Sequence, residues 1–267
     1  MAVGGNEDKE HDLSVLRHIV SLVKSGMPHV EVITTASNIP EELGKQYINA
    51  FNKIGVESVG LIHTQNRSDG NNEDYIKRVS EADIVYFTGG DQLKITSILG
   101  GSPLLKMIKK RYFEEDCIIA GTSAGSTAMP STMIYGGESE EALTKSAVHM
   151  TAGVGFVRNI VIDSHFIKRG RFSRLMEVVT TNPSHVGVGL GEDTAVIIRK
   201  GHLLEAIGTG LVVLFDGQNI AYTNLSSIED NESIAVENVV VHTIVKGHGY
   251  DILERAYLRP DQLYKVK

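Results

Sequence analysis

The sequence predicts an α/β protein: a mostly parallel, doubly wound sheet flanked by helices, with an antiparallel extension toward the C-terminus. Two patterns carry that expectation. Through the first half, short apolar runs alternate with amphipathic stretches of about ten to fifteen residues, and strands separated in this way pair in parallel through right-handed crossovers. From residue 186 onward the chain is instead rich in β-branched residues interrupted by turn sequences such as Lys200-Gly201, which favours antiparallel pairing. A chain of 267 residues, 42% hydrophobic and 22% charged, is ample for one large core and is incompatible with disorder as its main state. No Pro/Ser-rich linker divides it, so one domain over 1–267 is expected.

Met1-Ala2-Val3 reads as a clipped first strand running into Gly4-Gly5. Residues 12–23 read as a helix, because Leu13, Leu16, Ile19, Val20 and Val23 recur at helical spacing. Residues 30–35 read as a buried strand, 40–54 as a helix, 57–62 as a strand and 72–80 as a helix. The strand pattern 84–88 ends in Gly89-Gly90, two helical patterns occupy 92–99 and 103–112, and the strand 117–120 runs into Gly121-Thr122-Ser123-Ala124-Gly125. Later come a short strand at 160–162, a helix at 171–181 and a strand at 186–190. Strand patterns at 196–198, 203–207, 211–214 and 236–245 follow, parted by Lys200-Gly201 and Gly208-Thr209-Gly210. These are expected to extend the same sheet, with 226–232 a polar loop. Sites on such sheets lie at the carboxyl ends of the strands.

Charge and cysteine content exclude several functions. The net charge of -7 and the lack of a Lys/Arg-rich run argue against nucleic-acid binding. The single cysteine, Cys117, cannot form an internal disulfide or a multi-thiolate zinc site. No apolar stretch approaches the roughly 18 residues of a membrane span, and the N-terminus lacks a signal-peptide core, so a cytoplasmic protein without membrane partners is expected.

The pentapeptide 121–125 fits G-x-S-x-G between a strand and a helix. Its glycines relieve the crowding of a sharp strand-to-helix turn that lifts the Ser123 hydroxyl above the sheet edge. The N–H of Ala124 then faces a developing oxyanion. A histidine base is required, and His165 follows the strand 160–162 onto the same edge. Asp163 would point to the same side as His165, and Glu192 follows the strand 186–190, so either carboxylate is a candidate to orient the imidazole. The hydrolase-like order Ser123, Asp163, His185 is a further assembly. Gly89-Gly90-Asp91-Gln92 forms a second strand-end turn: Gly90 offers an N–H to the oxyanion, Gln92 a side-chain amide, and Asp91 a helix cap. Lys168, Arg169, Arg171 and Arg174 form a cationic cluster suited to carboxylate capture. Glu138, Glu140 and Glu141 form an acidic run that would attract a cationic substrate group.

Five ordered segments resemble the cyanophycinases: Gly4-Gly5-Asn6-Glu7-Asp8-Lys9, Gly89-Gly90-Asp91-Gln92, the Ser123 pentapeptide, Asp163-Ser164-His165-Phe166 with Arg169-Gly170-Arg171 and Arg174-Leu175, and Gly189-Leu190-Gly191-Glu192-Asp193-Thr194-Ala195. The resemblance implies a class I glutamine amidotransferase-like, flavodoxin-like fold. It also implies a serine-type exopeptidase, without cofactor or metal, that degrades cyanophycin, a polyaspartate carrying arginine on each β-carboxylate, to β-aspartyl-arginine dipeptides. By the same resemblance Ser123 is the nucleophile, His165 the base and Glu192 the acid. Gln92, Asp163, Arg169, Arg171 and Arg174 bind the polymer or an aspartyl-arginine peptide, and the protein is a homodimer. Ser164 departs from the family, which usually has Gln there. The related peptidase E-type α-aspartyl dipeptidases are the neighbouring reading, and a non-catalytic binding protein on the same fold is the reading from another class.

Overall fold

A computed structural model describes residues 1–24, 26, 28–137 and 143–266. The acidic run Glu138, Glu140 and Glu141 lies outside the described residues. The chain opens with β1 (Ala2–Val3). Beyond it the Asp8 carboxylate accepts the backbone N–H groups of Glu10, His11, Asp12 and Leu13 at 2.9, 3.0, 2.5 and 2.9 Å. Those bonds wind residues 10–13 into a non-helical turn, so α1 (Ser14–Ser21) is shorter than the 12–23 periodicity suggests. The predicted alternation then follows: β2 (His29–Ile33), α2 (Pro40–Ile54), β3 (Ser58–Ile62), α3 (Glu73–Glu81), β4 (Ile84–Phe87), α4 (Gln92–Leu99), α5 (Pro103–Glu114) and β5 (Ile118–Thr122). Side-chain caps set three of these starts: Asn72 accepts from the Tyr75 N–H before α3, Asp91 from Leu93 before α4, and Ser102 from Leu105 before α5.

The short helix α6 (Ala124–Thr127) leads to a hairpin of β6 (Thr132–Gly136) and β7 (His149–Ala152). Next come β8 (Ile160–Asp163), α7 (Phe172–Thr181), β9 (Val186–Leu190), β10 (Thr194–Arg199), β11 (Leu203–Gly208) and β12 (Val212–Asp216). A small ladder of β13 (Tyr222–Thr223) with β14 (Val236–Glu237) precedes β15 (Val240–Ile244), β16 (Gly249–Asp251), β17 (Ala256–Leu258) and α8 (Pro260–Val266). The pattern at 236–245 divides into β14 and β15 because Asn238 takes a positive φ of 75° and breaks the extended run.

The larger sheet has the order β17-β16-β11-β10-β1-β5-β4-β2-β3 among the described residues. Its β1, β5, β4, β2 and β3 are parallel, while β10, β11, β16 and β17 pair antiparallel. Helices cover both faces of the parallel half, and β4 shows this residue by residue. Ile84 and Tyr86 pack with Leu16 and Ile19 of α1 and with Tyr47 and Phe51 of α2. Val85 and Phe87 pack with Ile95 and Leu99 of α4 and with Leu104 and Ile108 of α5. That is the period-2 alternation of a strand buried on both sides.

The antiparallel extension of the larger sheet is present in β10, β11, β16 and β17, but β12 and β15 do not join it. Strands β15-β12-β9-β8 form a separate four-stranded sheet, in which β8 and β9 are parallel. The chain crosses between sheets at Gly191–Asp193 and returns at Gly208–Gly210. Gly208, at φ 96°, has no room for a side chain against the Asp193 carbonyl. One face of this sheet, through Ile160, Ile162, Val186, Val188 and Leu214, joins the core that also receives Phe87 and Leu104. The other, through Val161, Val213 and Phe215, is covered by Leu175, Val178 and Val179 of α7. The two sheets thus share a core, and the carboxyl ends of β1, β4, β5, β8 and β9 converge.

Candidate active site

Ser123 sits where β5 turns into α6, with φ 51° and ψ -114°, a region that L-residues adopt only under strain. Small neighbours allow the turn. A side chain at Gly125 would strike the Phe87 carbonyl, and a Cβ at Gly89 would lie 3.2 Å from the Ser123 Cβ. The Ser123 carbonyl accepts from the Thr127 N–H at 2.9 Å and from the Ser126 hydroxyl at 2.8 Å, which closes the turn.

His165 follows β8 of the other sheet. Its backbone N–H donates to the Gly4 carbonyl at 2.8 Å, tying the loop after β8 to the end of β1. The imidazole Nε2 lies 3.0 Å from Ser123 Oγ, and Nδ1 lies 2.8 Å from Glu192 Oε1. An ionised carboxylate only accepts, so Nδ1 carries the proton and donates to Oε1, leaving Nε2 to accept the serine hydroxyl. Glu192 lies in the crossing between β9 and β10. Its Oε2 accepts from Asn6 Nδ2 and Lys168 Nζ, each at 3.3 Å. Burial pushes the Glu192 carboxyl up, but the bonds from His165, Lys168 and Asn6 outweigh it and hold the group below its ordinary range.

The Asp163 carboxylate is engaged elsewhere. The residue is 1% exposed, with Arg171 Nη1 at 2.8 Å from Oδ1 and Arg174 Nε at 3.0 Å from Oδ2. Burial pushes this carboxyl up, and the two guanidiniums oppose that shift. Arg171 also donates to the Ser164 carbonyl at 2.9 Å, while Arg174, buried at the start of α7, reaches the Gly137 carbonyl at 2.9 Å. Arg169 is exposed on the turn between His165 and α7. Gln92 turns its amide to the Ile134 carbonyl of β6 at 3.0 Å, so Gln92 holds β6 and Arg174 the residue just beyond it. Gly90 has φ 141° and abuts the Ala36 carbonyl, which sets the second turn beside Ser123. His185 lies just before β9, at the opposite end of that strand from Glu192, so the order Ser123, Asp163, His185 is not brought together. Asn6, Glu7 and Thr122 touch this site without any role read for them in the sequence. The signal for Asn6 and Glu7 lies in the motif after β1, where only the glycines have an evident reason, and Thr122 sits inside the serine pentapeptide.

Among the described residues, no group of three His, Cys, Asp or Glu side chains could hold a metal ion, and no helix is long and apolar enough to cross a membrane.

The chain matches the profile of Peptidase family S51 over residues 1–206. It is 31% identical over 249 residues to a cyanophycinase of Geminocystis herdmanii, spanning 93% of this chain and 91% of that one. It is 30% identical over 258 residues to a cyanophycinase of Trichormus variabilis, spanning 97% and 87%. A crystal structure of a peptidase from an acI-B1 Actinobacterium shares the fold, with a TM-score of 0.69 at 17% identity over 94% of this chain and 95% of that one. The strained serine turn thus stands in a chain that belongs to peptidase family S51 and is a serine-type peptidase.

Proposed function

We propose that Ser123, His165 and Glu192 form a catalytic triad that cleaves cyanophycin by way of an acyl-enzyme. The observation that carries this reading is the unbroken line of hydrogen bonds, 3.0 Å from Ser123 Oγ to Nε2 and 2.8 Å from Nδ1 to Glu192. As Ser123 attacks the scissile carbonyl, His165 takes its proton and then delivers it to the leaving amine, while Glu192 orients the imidazole and stabilises its charged form. The backbone N–H groups of Ala124 and Gly90 receive the oxyanion. Water, activated by the same histidine, then releases the aspartyl product and restores the serine.

Two findings support the substrate: the curated relatives named above are cyanophycinases matched over nearly the whole chain, and the site gathers cations. Asp163 with Arg171 and Arg174 carries one net positive charge, and exposed Arg169 adds another, which suits the carboxylates of a polyaspartate substrate. Gln92, at the start of α4 after the Gly89-Gly90 turn, is the further proposed substrate contact. One observation favours a second reading, an α-aspartyl dipeptidase of the peptidase E type: with two guanidiniums on its carboxylate, Asp163 has little left to offer a substrate guanidinium. The deciding assay gives the purified protein cyanophycin and, separately, an α-linked Asp-X dipeptide. Release of β-aspartyl-arginine is expected, with analogues lacking the guanidinium cleaved roughly ten- to a hundredfold more slowly. Rapid dipeptide hydrolysis with no soluble product from the polymer would overturn the assignment in favour of the dipeptidase.

A further inference from the structure

Residues 4–7 run between the two sheets and touch His165, Glu192 and the residue before Ser123. The Gly4 carbonyl accepts the His165 N–H at 2.8 Å. The His165 ring occupies the space a side chain at Gly5 would take. Asn6 Nδ2 donates to Glu192 Oε2 at 3.3 Å. Glu7 completes the set by reaching the residue before the nucleophile, because Thr122 Oγ1 donates to Glu7 Oε2 at 2.5 Å. Glu7 is only 2% exposed. Its Oε1 accepts from the hydroxyls of Tyr47 and Tyr86, the latter at 2.9 Å, and Lys9 Nζ stands 3.5 Å away.

A well-packed apolar side chain often fills a buried volume at no loss of stability relative to an ion pair, so bulk stability does not explain a carboxylate here. Its hydrogen bonds point to a more specific task. Three hydroxyls from α2, β4 and β5 converge on one group, and the β5 hydroxyl belongs to the residue preceding strained Ser123. A backbone held in such a region persists only where its surroundings over-determine it.

We propose that Glu7 is a positioning residue for the nucleophile. Through Thr122 it holds the Ser123 turn, and as the end of the 4–7 segment it registers that turn, carried by the parallel sheet, against His165 and Glu192, carried by the other. The proposal rests on the triad reading given above. Glu7 contacts no substrate, so its removal acts on kcat and leaves KM little changed.

The test compares Thr122→Val, Thr122→Ser, Glu7→Gln and Ser123→Ala. Each variant is measured for kcat, KM, thermal midpoint and the rate at which a fluorophosphonate labels the active serine, a readout independent of which peptide is the substrate. Thr122→Val and Glu7→Gln are expected to lower kcat and the labelling rate about ten- to a hundredfold. KM should stay within about threefold, and Thr122→Ser, which keeps the hydroxyl, should restore both rates. A purely structural role would lower the midpoint and leave labelling of the folded protein unchanged. If Glu7→Gln does not fold, Thr122→Val decides alone, since it deletes the same bond and leaves Glu7 to its tyrosines. Thr122→Val with kcat and labelling within about twofold of the unaltered protein overturns the proposal. Near-normal turnover by Ser123→Ala instead overturns the triad beneath it, so the two failures are told apart.

Discussion

Gly5→Ala tests how tightly the base is held. Gly5 has φ 99°, and an added Cβ would come within 3 Å of His165 Cε1 and Nε2 and 3.1 Å of Cδ2. Ordinary contact begins near 3.4 Å, so the ring must retreat by about 1 Å from the atoms that face Ser123. The Ser123–His165 bond begins at 3.0 Å and is lost beyond about 3.5 Å. Backbone adjustment offers no escape: the Gly5 carbonyl accepts the Asp193 N–H and the Gly4 carbonyl accepts that of His165, so moving one glycine drags His165 and the residue next to Glu192 with it. Loss of a positioned base lowers kcat about 10²–10⁴-fold. Gly55, at the end of α2, separates this effect from backbone strain, since its φ is 97° and a Cβ there meets nothing within 4 Å. Both substitutions should cost about 1–2 kcal/mol of stability for placing alanine at positive φ. Steady-state kinetics and calorimetry on the pair check the reasoning. Equal kcat in Gly5→Ala and Gly55→Ala would refute it.

Ser123→Ala should lose activity by several orders of magnitude while remaining folded, and Ser123→Gly should be equally inactive yet more stable by about 1–3 kcal/mol, because glycine relieves φ 51°, ψ -114°. A lower melting midpoint for the glycine variant than for the alanine variant would count against strain at the nucleophile. Burial pushes the Cys117 thiol up to about 11, so at pH 8 only about one molecule in a thousand carries thiolate, and reaction with a disulfide reagent should await unfolding. Rapid modification of the native protein would contradict that burial. Glu192 is held below its ordinary carboxylate range, so its ionised form stabilises the fold above the unfolded-state value and that contribution fades as pH falls through the lowered one. The midpoint difference between the unaltered protein and Glu192→Gln should accordingly be present at neutral pH and shrink in acid. A difference that grows in acid would reverse the sign.

The parallel half was readable because both faces of its strands are buried and its helices carry local caps: the periodicities at 40–54 and 92–99 coincide with α2 and α4. Helix ends fail where a side chain commandeers the backbone, as Asp8 does before α1. The division of the second half into two sheets is not legible, because β9 and β10 carry similar β-branched runs and the jump between them is a short turn whose direction no local pattern encodes. The β6–β7 hairpin escapes for another reason: Met133 and Ile134, adjacent in sequence, are buried against different cores, so no simple alternation appears. At the site, Ser123, His165 and Glu192 become candidates because each follows a strand pattern, but only the family resemblance prefers Glu192 to Asp163. Asn6 and Glu7 do not become candidates, since their partners Glu192 and Tyr86 lie 186 and 79 residues away.

The separate origin of the two halves of the site sets the order in which it comes into being. His165 follows Ser123 by 42 residues, and Glu192 follows His165 by a further 27. At about 5–20 residues per second of synthesis, the nucleophile turn precedes its base and acid by several seconds. If the proposed triad holds, the emerging chain passes through a stage with the serine and without its proposed base, and activity is expected only once the later sheet docks. Ribosome-bound chains ending before β8 should resist the fluorophosphonate that labels the finished protein, and labelling of such chains would show that the turn is reactive without its partners. A latent period of this kind follows from the placement of the proposed nucleophile on one sheet and of its proposed activating pair at the edge of the other.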